Sequence, residues 1–112
     1  MFKLDQSDTY AWPVTVQIPV DGGRYVAETF DAHFKRLTQQ RLEQLRKDGI
    51  EGRITDMDFA REVMSGWAGV TFGGADVAFS PSTFDQLLQR PGVATAIVLA
   101  FVSSQTGAPL KN

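Results

Sequence analysis

The sequence predicts an α+β fold in one domain that spans residues 1–112, and three observations support this prediction. Apolar and polar residues alternate from Trp12 to Val20, which is the period of a half-buried strand. Apolar residues recur at helical spacing in the middle and near the end of the chain. A chain of 112 residues has the size of one domain, because two halves would be too small to build separate cores.

The N-terminal part of the chain predicts a β-hairpin. Residues 1–11 show no strong period and are expected to form a loosely ordered lead-in. The strand Trp12–Val20 is followed by the turn signal Asp21-Gly22-Gly23. The β-branched and aromatic content of Arg24–Phe30 then predicts the returning strand. We therefore expect a hairpin to open the fold.

Two helices are predicted in the middle of the chain. Asp31 is a candidate N-cap for a first helix that ends near Lys47, before a loop at Gly49–Arg53. Thr55 begins a second helix, with Asp58 three residues on as a capping-box partner. The positions that define the two helical stripes are Phe34, Leu37, Thr38, Arg41, Leu45, Phe59, Val63 and Trp67.

A short second hairpin and a third helix follow. The run Gly73-Gly74-Ala75-Asp76 lies between short apolar segments and is typical of a hairpin turn. Ser80 is a candidate N-cap, and Pro81 occupies the first helical position, where its missing N–H costs nothing. Phe84 and Leu87 lie on the apolar face of this helix.

A fourth helix and a tail complete the chain. Pro91-Gly92 breaks the third helix, and an apolar stripe predicts a last helix over 93–107, with Ala108–Asn112 as the tail. No residue from Val93 to Leu110 carries a charge. The apolar part is only ten residues long, well below the roughly 20 that span a bilayer. We therefore expect a core or interface helix and no membrane partner.

Composition removes most enzyme classes. The chain has no cysteine, so it holds no thiol nucleophile, disulfide or thiolate metal site. His33 is the only histidine, and no spacing places a nucleophile or a second acid beside the His33–Asp31 pair. Asp56 and Asp58 fit a helix start better than a metal site. We predict no catalytic residue, no cofactor and no metal; an enzyme would depend on His33 alone.

Nucleic acid is not a predicted partner either. The net charge of −2 gives no basic field for phosphates. Neither Gly22-Gly23 nor Gly73-Gly74 has the spacing of a phosphate-binding loop. The first residues lack the basic and apolar regions of a signal peptide, so secretion by that route is not expected.

Several large apolar side chains lie on short predicted elements. They either fill the core or form a patch for an apolar helix, and the periodicity leaves both interpretations open. The candidates for a protein-interaction surface, selected on helical spacing, are Phe59, Val63, Trp67, Phe84 and Leu87.

The order of several loose motifs is informative from Phe30 to the C-terminus. The helix start F-x-x-x-F-K-R-L covers 30–37, G-W-A-G-V covers 66–70, and F-S-P-S-T-F-D-Q-L-L covers 79–88 after a glycine turn. A helix of small residues follows, before the end at Lys111-Asn112. This order resembles the tail assembly chaperones of long-tailed bacteriophages and prophages.

The resemblance implies a small, non-enzymatic protein of the host cytoplasm that is absent from the mature virion. Such chaperones bind and solubilise the largely helical tape measure protein. The resemblance also implies a longer frameshifted form that recruits tail tube subunits, of which a chain ending at Asn112 would be the short form. Many copies are expected to bind along the client and weakly to one another.

Two other classes of function remain open at this stage. A structural tail component, such as a tube, terminator or connector subunit, would assemble into rings, with 14–20 available as an edge strand for strand addition. A small host-directed inhibitor would instead act through an acidic surface on a basic host protein.

Overall fold

Three strands form the main sheet of the fold, and a computed structural model describes residues 1–107. The strands are β1 (Thr9–Val20), β2 (Arg24–Lys35) and β3 (Met64–Ala68), antiparallel in the order β1-β2-β3. The α+β prediction is confirmed. The remaining elements are α1 (Gln39–Ile50), α2 (Asp56–Val63), β4 (Thr71–Phe72), β5 (Ala75–Asp76), α3 (Pro81–Leu88) and α4 (Val93–Thr106).

The β1–β2 hairpin is longer than the part that the core covers. Its register pairs Val14 with Phe30 and Val20 with Arg24. Side chains at Val14, Val16 and Phe30 are buried, whereas the segment 17–27 around the turn is exposed apart from a half-buried Ile18. The radius of gyration is 14.9 Å, compared with about 13 Å for a compact chain of this length. The hairpin tip, residues 17–27, therefore projects from the body as an arm.

The first helix begins later than the sequence predicts. The prediction that Asp31 is an N-cap is wrong, because Asp31 lies within β2 and pairs with both Pro13 and Ala68. The N-cap is Thr38, whose Oγ1 accepts from the backbone N–H of Arg41 at 3.2 Å. The lead-in is also shorter than predicted, since β1 begins at Thr9. Pairing with β3 holds this part of β2 extended, so tertiary contacts override its helical pattern.

The second helix ends before Trp67. The capping box at Thr55 and Asp58 is present as predicted, with both hydrogen bonds at 3.1 Å. The helix then ends at Val63 and the chain continues as β3, where Trp67 pairs with Ala32. The prediction that Trp67 lies in the second helix is wrong. Trp67 follows Val63 by four residues, and two side chains at this spacing share one face in a strand as well as in a helix. The spacing therefore does not distinguish the two structures.

The C-terminal elements follow the sequence prediction. Gly73 and Gly74 form the turn between β4 and β5, and both have positive φ. Ser80 caps α3 with Pro81 at its first position. α4 extends from Val93 to Thr106, and Gly107 follows it at φ 69°. The predicted tail at 108–112 lies outside the described residues.

Aromatic side chains organise the core in two groups. Phe101 of α4 packs edge-on against Phe34 at 5.2 Å and Phe59 at 5.8 Å between ring centroids. The second group surrounds Trp67, which packs edge-on against Phe79 and Phe84. The buried side chains of β1 and β2 all lie at even positions, and side chains at alternate positions of a strand share one face of the sheet. The helices therefore cover that face.

Candidate protein-interaction surface

The structure places four of the five predicted interaction residues in the core. The exposed fractions are 8% for Phe59, 0% for Val63, 9% for Trp67 and 6% for Phe84. The structure therefore corrects their assignment to an exposed client surface. Their spacing marked the side of each element that faces the core, and periodicity cannot separate that side from one that faces a partner. Leu87 is half-buried.

Leu87 lines a groove of about 410 Å³ beside the base of the hairpin arm. Its apolar residues come from β1 and β2 near the base of the arm, from the chain around β4 and from the facing ends of α3 and α4. Glu28 and Arg90 are the two charged residues that line it. The groove's apolar residues are Val16, Ile18, Phe30, Val70, Leu87 and Val93.

The outward-facing side of α4 is an exposed helix surface without charge. Thr95, Leu99, Val102 and Thr106 follow one another at intervals of four, three and four residues, and all four are exposed. Leu99 is 64% exposed and Val102 is 45% exposed. Residues at this spacing share one face of a helix, and we call these four the outer stripe. The opposite side is buried through Val93, Ala94, Ile97, Ala100 and Phe101.

A second groove adjoins the outer stripe between α4 and α1. Its volume is about 280 Å³, and Val102 belongs both to the stripe and to the groove wall. Leu42 and Phe59 line it as well, so Phe59 reaches this surface by the small part of its side chain that is exposed. The stripe and the groove together form one continuous surface, which is apolar at Leu42, Phe59, Leu99 and Val102 and is edged by polar residues that include Glu43 and Arg46. An amphipathic helix is the kind of partner that such a surface accepts.

A hydrogen-bond chain fixes the C-terminal end of α4 against β1. Gln105 Nε2 donates to the hydroxyl of Tyr10 at 2.6 Å, and that hydroxyl lies 2.7 Å from Ser104 Oγ. Ser104 Oγ in turn donates to the carbonyl oxygen of Phe101 at 2.6 Å. A cavity of about 480 Å³ lies here, lined by Tyr10, Gln105 and Arg36, and the Arg36 guanidinium lies 4.9 Å from the centroid of the Tyr10 ring. The last turns of α4 are thus held in place.

Leu99 and Val102 are not among the interaction residues that the sequence predicts. The absence of charge from Val93 to Leu110 predicts a core or interface helix, and the predicted apolar stripe of that helix is the inner one. A second apolar stripe at intervals of three and four on the same helix was the available signal. A soluble helix normally carries charged or polar residues on its outer side, and α4 carries threonines and two exposed aliphatic residues there.

The polar candidates have local structural roles. The backbone N–H of Thr55 donates to Asp58 and lowers the pKa of that carboxyl, and Arg53 together with Gln44 lowers the pKa of Asp48. Thr95 Oγ1 donates to Asp56 at 2.9 Å. Across residues 1–107, no three His, Asp or Glu side chains are close enough together to hold a metal ion.

In the described part of the chain, no single helix is both long and apolar enough to cross a bilayer. The segments 81–88 and 93–106 reach that length and hydropathy only together, and they meet at a bend of 100°.

Comparisons with models of protein families, with curated proteins and with solved structures found no match.

Proposed function

We propose that this protein is a tail assembly chaperone of a long-tailed bacteriophage or prophage, which binds the tape measure protein in the host cytoplasm and is absent from the mature virion. The order of motifs between Phe30 and the C-terminus suggests this class. The observation that carries the proposal is the uncharged, exposed outer stripe of α4 with its adjoining groove. A chaperone for a largely helical client needs such a surface, because apolar stripes on the client must be covered until the tail tube forms.

The proposed action requires no bond-making chemistry. Each copy covers a short apolar section of the client helix, and many copies bind along its length. Individually weak contacts become strong collectively and remain reversible, so that tail tube subunits can displace them. Recruitment of those subunits by a longer, frameshifted form, and weak association between copies, belong to the same proposal.

Co-expression with the tape measure protein tests the proposal. A very long gene just downstream of the gene for this chain would identify that client. Leu99→Asp and Val102→Asp place a carboxylate in the proposed surface, so both are expected to lower the soluble yield of the client. Val26→Asp is the matched control, because Val26 is 48% exposed at the hairpin tip and belongs neither to the stripe nor to the groove beside it. If all three variants solubilise the client as well as the unchanged chain, α4 is not the client surface.

A ring-forming tail component remains the second candidate, and the sheet order favours it. β1 is an edge strand and extends into the projecting arm, so its outer edge is available for strand addition by a neighbouring copy. Mass spectrometry of purified particles separates the two candidates. A stoichiometric amount of the chain in mature particles would support the structural role and contradict the chaperone role.

A further inference from the structure

The outer stripe of α4 has the same pattern when it is read from either end. Its members follow one another at intervals of four, three and four residues, and their types are threonine, aliphatic, aliphatic and threonine. Two identical helices that pack antiparallel about a two-fold axis need this symmetry, because the same surface then meets itself in reverse. With the axis between Leu99 and Val102, Leu99 of one copy lies opposite Val102 of the second copy. Thr95 likewise lies opposite Thr106, so the stripe is complementary to itself.

The charges around the stripe do not select a partner of either sign. At one end, Asp56 accepts a hydrogen bond from Thr95 Oγ1 at 2.9 Å. At the other end, Glu43 and Arg46 line the adjoining groove and carry opposite charges. No residue between positions 93 and 110 is charged. A second copy of α4 therefore brings no charge to the stripe that would have to lose its water without a partner.

The contact between two such stripes would be small. From Thr95 to Thr106 the stripe extends about 16 Å along the helix axis. A stable protein interface takes roughly 20–30 residues from each side, many more than a single helix stripe with its groove provides. We therefore expect a weak pair that separates readily, which is what a temporary cover of a client surface requires.

We propose that a second copy of this chain covers the outer stripe in the free protein, through antiparallel pairing of α4 about a two-fold axis, and that the client helix displaces it. The second copy and the client both need Leu99 and Val102, so one copy cannot bind both at once. Apolar helices of other proteins must compete with the second copy, which favours the client that binds most tightly. This inference rests on the proposed function, because it specifies what covers the client surface before the client binds.

Sedimentation equilibrium of the full chain tests the pairing. The molar mass is expected to rise with concentration from that of one chain toward that of two. Leu99→Asp places a carboxylate opposite Val102 of the second copy, so we expect it to weaken the pairing at least about tenfold. Val26→Asp is the matched control, because it makes the same change of charge at the exposed hairpin tip and is expected to leave the pairing intact.

Cross-linking tests the orientation of the two helices. The chain has no cysteine, so thiols can be introduced at chosen positions. Antiparallel pairing places Thr95 beside Thr106 of the second copy, whereas the two Thr95 residues lie about 16 Å apart along the axis. A short bismaleimide is therefore expected to join Thr95→Cys to Thr106→Cys in a mixture and to join neither variant to itself. Adding Leu99→Asp to both variants is expected to abolish the cross-linked product.

The same cross-link tests displacement by the client. Co-expression of the two cysteine variants with the tape measure protein is expected to lower the yield of cross-linked product, because the client takes the side chains that hold the pair together. Co-expression with an unrelated soluble protein is the control and is expected to leave the yield unchanged. An equal yield in both cases would overturn the proposed displacement.

The outcomes separate this inference from the proposed function. A molar mass that stays at one chain, equal association of Leu99→Asp and the unchanged chain, or linkage of Thr95→Cys to itself overturns the inference. Loss of client solubility in Leu99→Asp would still support the chaperone role in each of those cases. Conversely, stripe pairing in a chain whose Leu99→Asp variant solubilises the client fully would support the pairing and contradict the client role of α4.

Discussion

The indole Nε1 of Trp67 donates a hydrogen bond to the carbonyl oxygen of Val77 at 2.8 Å. This bond joins β3 to the chain segment that leaves the second hairpin. The same ring packs edge-on against Phe79 with centroids 5.0 Å apart, and Phe79 leads directly into α3. Trp67 therefore holds the C-terminal elements on the sheet, which explains why its side chain is buried rather than offered to a partner.

The two tryptophans should respond differently to the same substitution. Trp67→Phe removes the bond to Val77 and leaves a carbonyl without its donor, so we expect a loss of about 1–3 kcal/mol in the free energy of unfolding. Trp12 is the matched control, because its Nε1 is buried and has no hydrogen-bond partner in the described part of the chain. Trp12→Phe is expected to cost clearly less. Urea denaturation measures both, and an equal or larger loss at Trp12 would contradict the prediction.

Gly66 is expected to be coupled to His33. A Cβ at Gly66 would lie 3.0 Å from Nδ1 of His33, which is closer than ordinary contact. Removing a glycine also lowers the entropy of the unfolded chain, which favours the substitution where space allows. We therefore expect the effect of Gly66→Ala on the free energy of unfolding to be about 1 kcal/mol less favourable in the unchanged chain than in a His33→Ala background. A double-mutant cycle from urea denaturation measures this difference, and strict additivity would show that the imidazole is not the obstacle.

Acid should weaken the start of α2. The bond from the Thr55 backbone N–H lowers the pKa of Asp58 below its ordinary value of 3.8, so the folded chain binds this proton less readily than the unfolded chain. The stabilising contribution of Asp58 is therefore complete above pH 3.8 and is lost as the pH falls through the lower folded-state pKa. Asp58→Asn is expected to reduce the dependence of the urea midpoint on pH between about 5 and 2. An unchanged dependence would contradict this role.

Substitutions on the two sides of α4 should differ in how much they lower the free energy of unfolding. Ile97 is fully buried, so Ile97→Ala is expected to cost about 2–5 kcal/mol through lost burial and the cavity left behind. Leu99 is 64% exposed two residues further on, and Leu99→Ala is expected to change stability by no more than about 0.5 kcal/mol. Thermal or urea unfolding of the pair measures the contrast. A large loss at Leu99 would mean that the outer stripe supports the fold itself.

Local signals in the sequence were sufficient to predict the boundaries of several elements. The capping box at Thr55, the Ser80-Pro81 start of α3 and the Pro91-Gly92 break depend on hydrogen bonds and steric limits within a few residues. Such signals act in the same way whatever the rest of the chain does. These boundaries could therefore be predicted from the residues alone.

The extension of β2 and the existence of β3 depended on contacts between distant residues. Phe30, Ala32 and Phe34 alternate inward while Asp31 and Lys35 remain exposed, so a strand period was present. A helical stripe through Phe34 fitted the same letters, and only the pairing of 31–34 with 64–68 decides between them. The interaction surface was missed for a related reason, because burial is a property of the assembled fold and not of spacing.

The position of β3 in the chain also orders events during synthesis. β1 and β2 are adjacent and can pair as soon as both have left the ribosome, but β3 follows α1 and α2 in the sequence. Until Ala68 has emerged, one edge of β2 has no neighbour, and the inward aromatic rings of that strand lack part of their cover. The nascent chain therefore carries an open strand edge of its own from the completion of β2 at Lys35 until the completion of β3 at Ala68, while 33 of its 112 residues are added.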